Sequence, residues 1–480
     1  MATSEAATDT EAGRRDGRSW ITRSWIDRLW STVADRGRAY ADVPAASMPA
    51  LERARQLTSA LLSERGEASG AAVARELHAA LRDLGPEDRL AFYRFLAGGF
   101  LPAEERLRAA AEAYIADPTP ERASQLAEAA EPTRQEVLRR MNLSPGGTAA
   151  LVAMRRDLLA HLRDDPSLRP LDSDLRHLLA SWFNRGFLEL RRIDWQTPAA
   201  VLERLITYEA VHEIQGWDDL RRRLAPDRRC FGFFHPALPG DPLIFVEVAL
   251  TRGLAASVQP LLARDGDEAA ERRRERDADT AIFYSISNCQ DGLRGVSFGN
   301  FLIKQVVEEL KAELPHLVRF STLSPVPGFR RWLEKQLAQQ QEGGEPLLGE
   351  AERAELEQLP AGGPPPDSLR APLTRLCATY LTTSAGSRGP ADPVARFHLG
   401  NGARLERVNW LGNTAPRGIR ESYGIMVNYL YDPEQIEANH EAFVHGTVVR
   451  SAAVDELLGN PAPPAPKGAR RARPARAREG

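Results

Sequence analysis

An all-α domain followed by a mixed α+β domain is the fold that the sequence predicts. Up to about Gly186 the apolar residues recur with helical spacing and form few alternating β-branched runs. From Phe187 onward, blocks rich in aromatic and β-branched residues appear, bounded by Pro, Gly or Asp. Helical stretches lie between those blocks, the pattern of a mixed domain. With 480 residues the chain is long enough for about two or three domains, each with its own core.

Taken in order, residues 1–18 are polar and are expected to be disordered. A helical domain then spans 19–186. Ile21, Trp25, Leu29 and Val33 recur at four-residue spacing, one face of a helix. Asp117-Pro-Thr-Pro and Glu131-Pro-Thr-Arg are helix starts, with acid or hydroxyl residues beside an early proline. Ser144-Pro-Gly-Gly-Thr interrupts the pattern before a helix over Ala149–Arg163.

The mixed domain spans 187–458. Leu188–Trp195 alternates, and strands are expected at Arg229–His235, Pro242–Leu250 and Thr280–Ser287. Helices are expected at Phe301–Leu314 and Phe329–Gln341. Residues 342–370 read as a helix-bearing surface insertion with Gly and Pro near both ends. Strands at Val394–Leu399 and Ala403–Trp410 are expected to be joined by a hairpin turn at Asn401-Gly402. A last strand, Gly424–Tyr431, ends in Asp432-Pro433. The tail, 459–480, is Pro, Ala and Arg, cannot bury a core, and is expected to be disordered.

Composition narrows the function. A formal charge of −3 gives no global pull toward nucleic acid or anionic membrane. No apolar run approaches the roughly 18 residues of a membrane span. The opening MATSEAATDTEA carries acids and no basic or apolar block, so neither a signal nor a transit peptide is expected. Cys230, Cys289 and Cys377 lie far apart without a CxxC pair, which argues against disulfides and zinc-thiolate sites. Each is expected to be a plain buried thiol in a reducing, cytoplasmic compartment. The histidines show no metal-ligand spacing, so no metal is expected.

Three segments carry candidate chemistry. In AIFYSISNCQDGLRGVSFGNFLIKQVVEEL, residues 281–310, a buried strand runs into a Gly-rich loop and then a helix beginning near Asn300. A helix start presents free N–H groups and the positive end of its dipole, which suit a pyrophosphate. Glycines at 292, 295 and 299 let phosphate oxygens approach the backbone. Tight packing of helix on strand explains the same glycines equally well.

In Phe320-Ser-Thr-Leu-Ser-Pro-Val-Pro-Gly-Phe329, Ser324 is followed by two prolines that stiffen its loop. Its alternative role is to satisfy loop backbone groups. In Ala395-Arg-Phe-His-Leu-Gly-Asn-Gly-Ala403, His398 lies just before the Asn-Gly turn; a hydrogen-bonded structural histidine is its alternative reading.

The loop Arg294, Gly295, Val296, Ser297, Phe298, Gly299, Asn300 resembles the Arg/Gln-Gly-x-Gly-x-Gly/Ala loop that grips the CoA pyrophosphate in the N-acetyltransferase superfamily, with Ser297 in place of the middle glycine. Gly295-x-Ser297-x-Gly299 is also the pattern of a nucleophile elbow. That elbow needs its serine directly after a strand, and here the strand ends near Ser287. The CoA loop is preferred.

Together, YEAVHEIQGWDDLRRRLAPDRRCFGFFHP (208–236), AIFYSIS…GLRGVSFGNFLIK (281–304), FSTLSPVPGFRRWL (320–333), ARFHLGNGARLERVNW (395–410) and RGIRESYGIMVNYLY (417–431) resemble the malonyl-CoA decarboxylase family. The resemblance implies an oligomerising N-terminal helical bundle, as tetramer or dimer, and a catalytic domain of acetyltransferase-like fold. It puts the catalytic serine on Ser324, the catalytic histidine on His398 and CoA binding on Arg294 through Asn300. It implies malonyl-CoA as substrate and no cofactor, CoA being part of the substrate. An unperturbed imidazole pKa near 6.5 would suit His398 as proton source. An acyltransferase using the same loop, or an acyl-CoA-binding scaffold without turnover, are the alternatives.

Overall fold

The computed structural model describes residues 25–38, 41, 44, 47–63, 66–263, 266–296, 302–339, 346–360, 362–383 and 389–459. The readings for residues 1–18, Ile21, Ser297–Asn300 and the tail beyond Gly459 lie outside them. The expected architecture is the one adopted: helices follow one another from Trp25–Gly37 to Arg169–Trp182, and the first strand begins at Glu189. The chain divides into two compact units. One holds residues 1–224, 230–246 and 286–302; the other holds 225–229, 247–285 and 303–480.

In the first unit the helices bury one continuous apolar core, with Leu57, Leu77, Leu96, Leu138, Leu158 and Leu175 wholly inside it. That burial is the main source of the bundle's stability. One charged cluster is buried beside the core and is fully partnered. Arg134 donates to Asp174 at 2.6 Å and to the carbonyls of Leu96 and Ala97, while Gln135 donates to the other Asp174 oxygen at 2.8 Å. Removing either charged partner would strand the other, at a cost of about 3–5 kcal/mol.

The expected helix starts are present. Thr119 caps Pro120–Ala130 by accepting from the Arg122 N–H, and Thr133–Asn142 follows Pro132. Gly146 takes φ +69°, a left-handed turn that only glycine enters freely, before helix Gly147–His161. Strand β1, Glu189–Ile193, pairs antiparallel with β2, Arg228–Phe234, from Glu189 opposite Phe234 to Ile193 opposite Cys230. Val201, Leu202 and Leu205 of helix Ala199–Tyr208 pack in the same core as Ile193, Cys230 and Phe234.

The remaining strands are β3 (Pro242–Thr251), β4 (Thr280–Asn288), β5 (Arg319–Thr322), β6 (Ser324–Pro325), β7 (Arg404–Asn409) and β8 (Met426–Tyr431). They hydrogen-bond in the order β1-β2-β3-β4-β5-β8-β6, with β7 also on β8. In the second unit β5 runs parallel to β4, whereas β5, β6 and β7 are antiparallel to β8. Ala249, Ile282, Tyr284, Leu323 and Met426 form the core beneath. All three thiols are free and buried, as expected.

Three expectations are corrected. Val394–Leu399 is no strand but part of helix Pro393–Gly400. Asp392 caps it, accepting from the N–H groups of Val394 and Ala395 at 2.9 Å each, and Pro393 occupies its first turn. Asn401-Gly402 is therefore no hairpin but the end of that helix. Gly402 stands at φ +81°, its N–H bonds to Leu399 O at 3.0 Å, and Ala403 N–H bonds to His398 O at 3.1 Å. This is a Schellman closure, which asks for glycine in the same way as a tight hairpin. The region 320–329, read as loop, contributes β5 and β6 instead.

Candidate active site

The site is built on the face that β5, β6 and β8 share. Phe320 opposes Tyr431 and Ser324 opposes Val427, so β6 continues the register of β5 after Leu323. The interruption is bridged by side chains and by β4. Thr322 Oγ1 accepts the Tyr429 N–H at 3.1 Å, Asn428 Nδ2 donates to Thr322 O at 2.7 Å, and Leu323 N–H donates to Phe283 O at 2.9 Å. Alternation with period two puts Thr322 and Ser324 on one face, beside Tyr429 and Tyr431 of β8. Their hydroxyls meet accordingly: Ser324 Oγ donates to Thr322 Oγ1 at 2.9 Å.

His398, in the last turn of helix Pro393–Gly400, lies on this face. Its Nε2 is 3.1 Å from Ser324 Oγ and its Nδ1 is 2.8 Å from the Tyr431 hydroxyl. Its ring stacks on Tyr429, with centroids 4.7 Å apart and planes at 24°. Sequence separations of 74 and 33 residues are thus closed into one hydroxyl–imidazole–phenol chain.

Burial sets the protonation states. His398 is 3% exposed, and loss of hydration pushes its pKa down to about 3. The imidazole is neutral at physiological pH. This corrects the expectation of an imidazole titrating near 6.5. The same desolvation drives the Tyr431 and Tyr429 phenols well above their ordinary range, so both carry their protons.

The helix bearing His398 is tied to the loop bearing Ser324 through Asp392. Beyond capping the helix, its carboxylate accepts from the Gly328 N–H and from Tyr380 OH, the latter at 3.4 Å. Gly328 is needed for this approach, since a Cβ there would lie 2.3 Å from the Tyr380 hydroxyl oxygen. Burial raises the Asp392 pKa, against the lowering pull of those N–H donors.

The Gly-rich segment belongs to the first unit. A 3₁₀ turn, Asp291–Leu293, follows β4, and helix Leu302–Glu313 comes after the loop. Arg294 is exposed and pairs with Asp291 at 3.0 Å, a contact of little energetic weight. Gly295 takes φ +78°, and Val296 is buried with its N–H on Leu293 O at 2.9 Å. Among the described residues no group of three or more His, Cys, Asp and Glu side chains converges as a metal site.

Comparison with known proteins bears on the whole of this. The family model described as malonyl-CoA decarboxylase C-terminal domain matches residues 186–467, and the one described as malonyl-CoA decarboxylase N-terminal domain matches residues 100–183. The chain belongs to the malonyl-CoA decarboxylase family. Mitochondrial malonyl-CoA decarboxylase of Anser anser anser is 41% identical over 323 residues, 62% of this chain and 64% of that protein. The mitochondrial enzyme of Rattus norvegicus is 37% identical over 332 residues, 64% of this chain and 67% of that protein. The chain thus spans 64% of the length of the goose relative. The crystal structure of malonyl-CoA decarboxylase from Rhodopseudomonas palustris shares 51% identity at a TM-score of 0.77, covering 85% of this chain and 99% of that one. That from Agrobacterium vitis shares 49% identity at 0.77, with the same coverage.

Of the residues expected to serve a malonyl-CoA decarboxylase, Ser324 and His398 are brought into contact, and Arg294, Gly295 and Val296 form one turn of the other unit. Four residues around the pair were missed. Tyr429 and Tyr431 stood in a predicted strand, but nothing in the sequence said which strand would pair with it. Thr322 sat in a presumed loop. Asp392 carried a readable signal, because Asp-Pro is a helix start.

Proposed function

We propose that the protein converts malonyl-CoA to acetyl-CoA and CO2. The observation that carries this reading is the Ser324–His398–Tyr431 chain, buried and hydrogen-bonded, in a member of a family whose relatives bear that activity in their names. Loss of CO2 moves the electron pair of the Cα–carboxyl bond into the thioester carbonyl, leaving an enolate. Protonation at Cα then completes acetyl-CoA, and one proton is consumed overall. The thioester is its own electron sink, so the reaction asks for no metal or redox cofactor.

Ser324 holds the malonyl carboxylate, with its C–C bond perpendicular to the carbonyl plane. Leaving water for this buried face favours release of a neutral CO2. The same hydroxyl then gives its proton to Cα, His398 Nε2–H replaces it, and the Tyr431 phenol replaces that proton at Nδ1. Water restores the phenol, supplying the one proton consumed, and proton exchange with solvent returns the imidazole from its Nδ1–H to its Nε2–H tautomer before the next turnover. An enolate is basic enough to draw a proton from neutral donors, so a neutral His398 suits the step. The loop from Arg294 to Asn300 grips the CoA diphosphate, using backbone N–H groups at a glycine-rich helix approach. Assembly of copies through the helical region, as a tetramer or dimer, and a cytoplasmic site of action belong to the same proposal.

The test is the purified protein with malonyl-CoA alone, following acetyl-CoA by mass. Stoichiometric CO2 without an acyl acceptor supports the decarboxylase. Binding without turnover, or turnover only with an acceptor, sinks it.

A further inference from the structure

The helical region reaches into the loop to which the diphosphate is assigned, and it does so through one buried arginine. Arg155, on helix Gly147–His161, is 2% exposed. Its Nε donates to Asp172 at 2.8 Å, and its Nη1 donates to two loop carbonyls, Gly292 O at 2.7 Å and Arg294 O at 2.8 Å. Those carbonyls flank the turn that puts Gly295 at φ +78°. The N–H groups of Leu293, Arg294 and Val296 are bonded within the turn, to the Gln290, Asp291 and Leu293 carbonyls, but the Arg294 carbonyl turned inward onto the guanidinium points the N–H of the same peptide, that of Gly295, the other way.

The contact is close as well as polar. A Cβ at Gly292 would lie 2.0 Å from Val152 O on the same helix. A second arginine stands at the turn. The Arg176 side chain, on helix Arg169–Trp182, brings its Cδ to 3.9 Å of a Cβ built on Gly295. Arg176 is exposed and takes part in no ion pair among the described residues.

We propose that the helical region is part of the substrate site. Arg155 is the positioning residue that sets the shape of the 292–295 turn, and Arg176 contacts the phosphates directly. The inference rests on the reading of this loop as the diphosphate anchor. It implies that the N-terminal helices select for the nucleotide end of the thioester, whatever part they take in assembly.

The experiment compares malonyl-CoA with malonyl-pantetheine, which keeps the thioester and lacks the diphosphate and nucleotide. The readout is the ratio of the two kcat/KM values, with kcat and KM resolved separately. For the native protein the ratio should favour malonyl-CoA. In Arg176→Ala, an exposed change that leaves the core intact, and in Arg155→Lys the ratio should fall about tenfold through KM for malonyl-CoA. Gly292→Ala should do the same, by pushing the turn off the helix. Calorimetric titration of CoA itself into each variant should show the same loss without any turnover. A native protein with no preference between the substrates overturns the loop reading. A native preference that both arginine variants retain overturns the role of the helical region, as does an equal loss on both substrates.

Discussion

The imidazole of His398 rests on the ring of Tyr429 at 4.7 Å, while its nitrogens reach Ser324 at 3.1 Å and Tyr431 at 2.8 Å. Stacking fixes the plane of the ring and the two hydrogen bonds fix its rotation within that plane. The side chain has one orientation available, and it is aimed at the serine.

Removing either end of the central contact should abolish turnover but leave binding. Ser324→Ala and His398→Asn are each expected to lose ~10²-fold or more in kcat, with CoA affinity close to native. Acetyl-CoA formation by mass, beside calorimetric CoA titration, checks both halves. Normal turnover in either variant contradicts the assigned roles.

Tyr431→Phe deletes the partner of Nδ1 and nothing else on that face. We expect kcat to fall about tenfold with KM little changed, because a properly held imidazole is needed only as the proton moves. Steady-state kinetics decide it. An unchanged kcat would remove Tyr431 from the relay.

A neutral His398 makes a prediction about pH. With its pKa near 3 in the folded protein and near 6.5 when unfolded, the unfolded chain binds the extra proton between those values. Stability from this group is therefore complete above about pH 6.5 and is lost as pH falls toward 3, by an amount on the order of a few kcal/mol. Urea unfolding across that window should show the decline, and His398→Asn should flatten it. The kcat profile should show no inflection near 6.5. An inflection there that His398→Asn abolishes would falsify the neutral-imidazole reading.

Asp392→Ala removes a helix cap together with the partners of Gly328 and Tyr380. We expect about 2–4 kcal/mol of destabilisation, read from denaturant midpoints. Asp392→Asn keeps an oxygen for the cap and should lose less. Equal losses in the two would mean that the cap contributes nothing here.

Gly328→Ala presses a methyl group onto the Tyr380 hydroxyl and should cost about 1–3 kcal/mol. Adding Tyr380→Phe removes the oxygen that is struck, so the double variant should recover part of that loss. Additive effects in thermal unfolding would locate the strain elsewhere.

Much of the architecture was legible because local rules and global fold agree. The helices announced themselves by period and cap, and β2, β3 and β4 by blocks rich in aromatic and β-branched residues. The failure at Val394–Leu399 came from a real ambiguity. Asn-Gly supplies a left-handed residue to a hairpin and to a helix end alike, and only the Asp392-Pro393 cap tells them apart. Ser324 and His398 were legible through resemblance and through the stiff proline frame. Their neighbours were not, since Thr322, Tyr429 and Tyr431 gain meaning only once β5 and β6 are known to pair with β8. Arg155 was invisible for the same reason: its targets lie 137 and 139 residues away.

The sequestered thiols give the molecule an internal clock. Cys289 lies in one compact unit and Cys377 in the other, each 7% exposed or less, and each thiol pushed by its surroundings away from the reactive thiolate. An alkylating reagent can reach them only when the surrounding structure opens. The rate at which each cysteine is labelled, resolved by peptide mass, therefore times the breathing of one unit separately from that of the other.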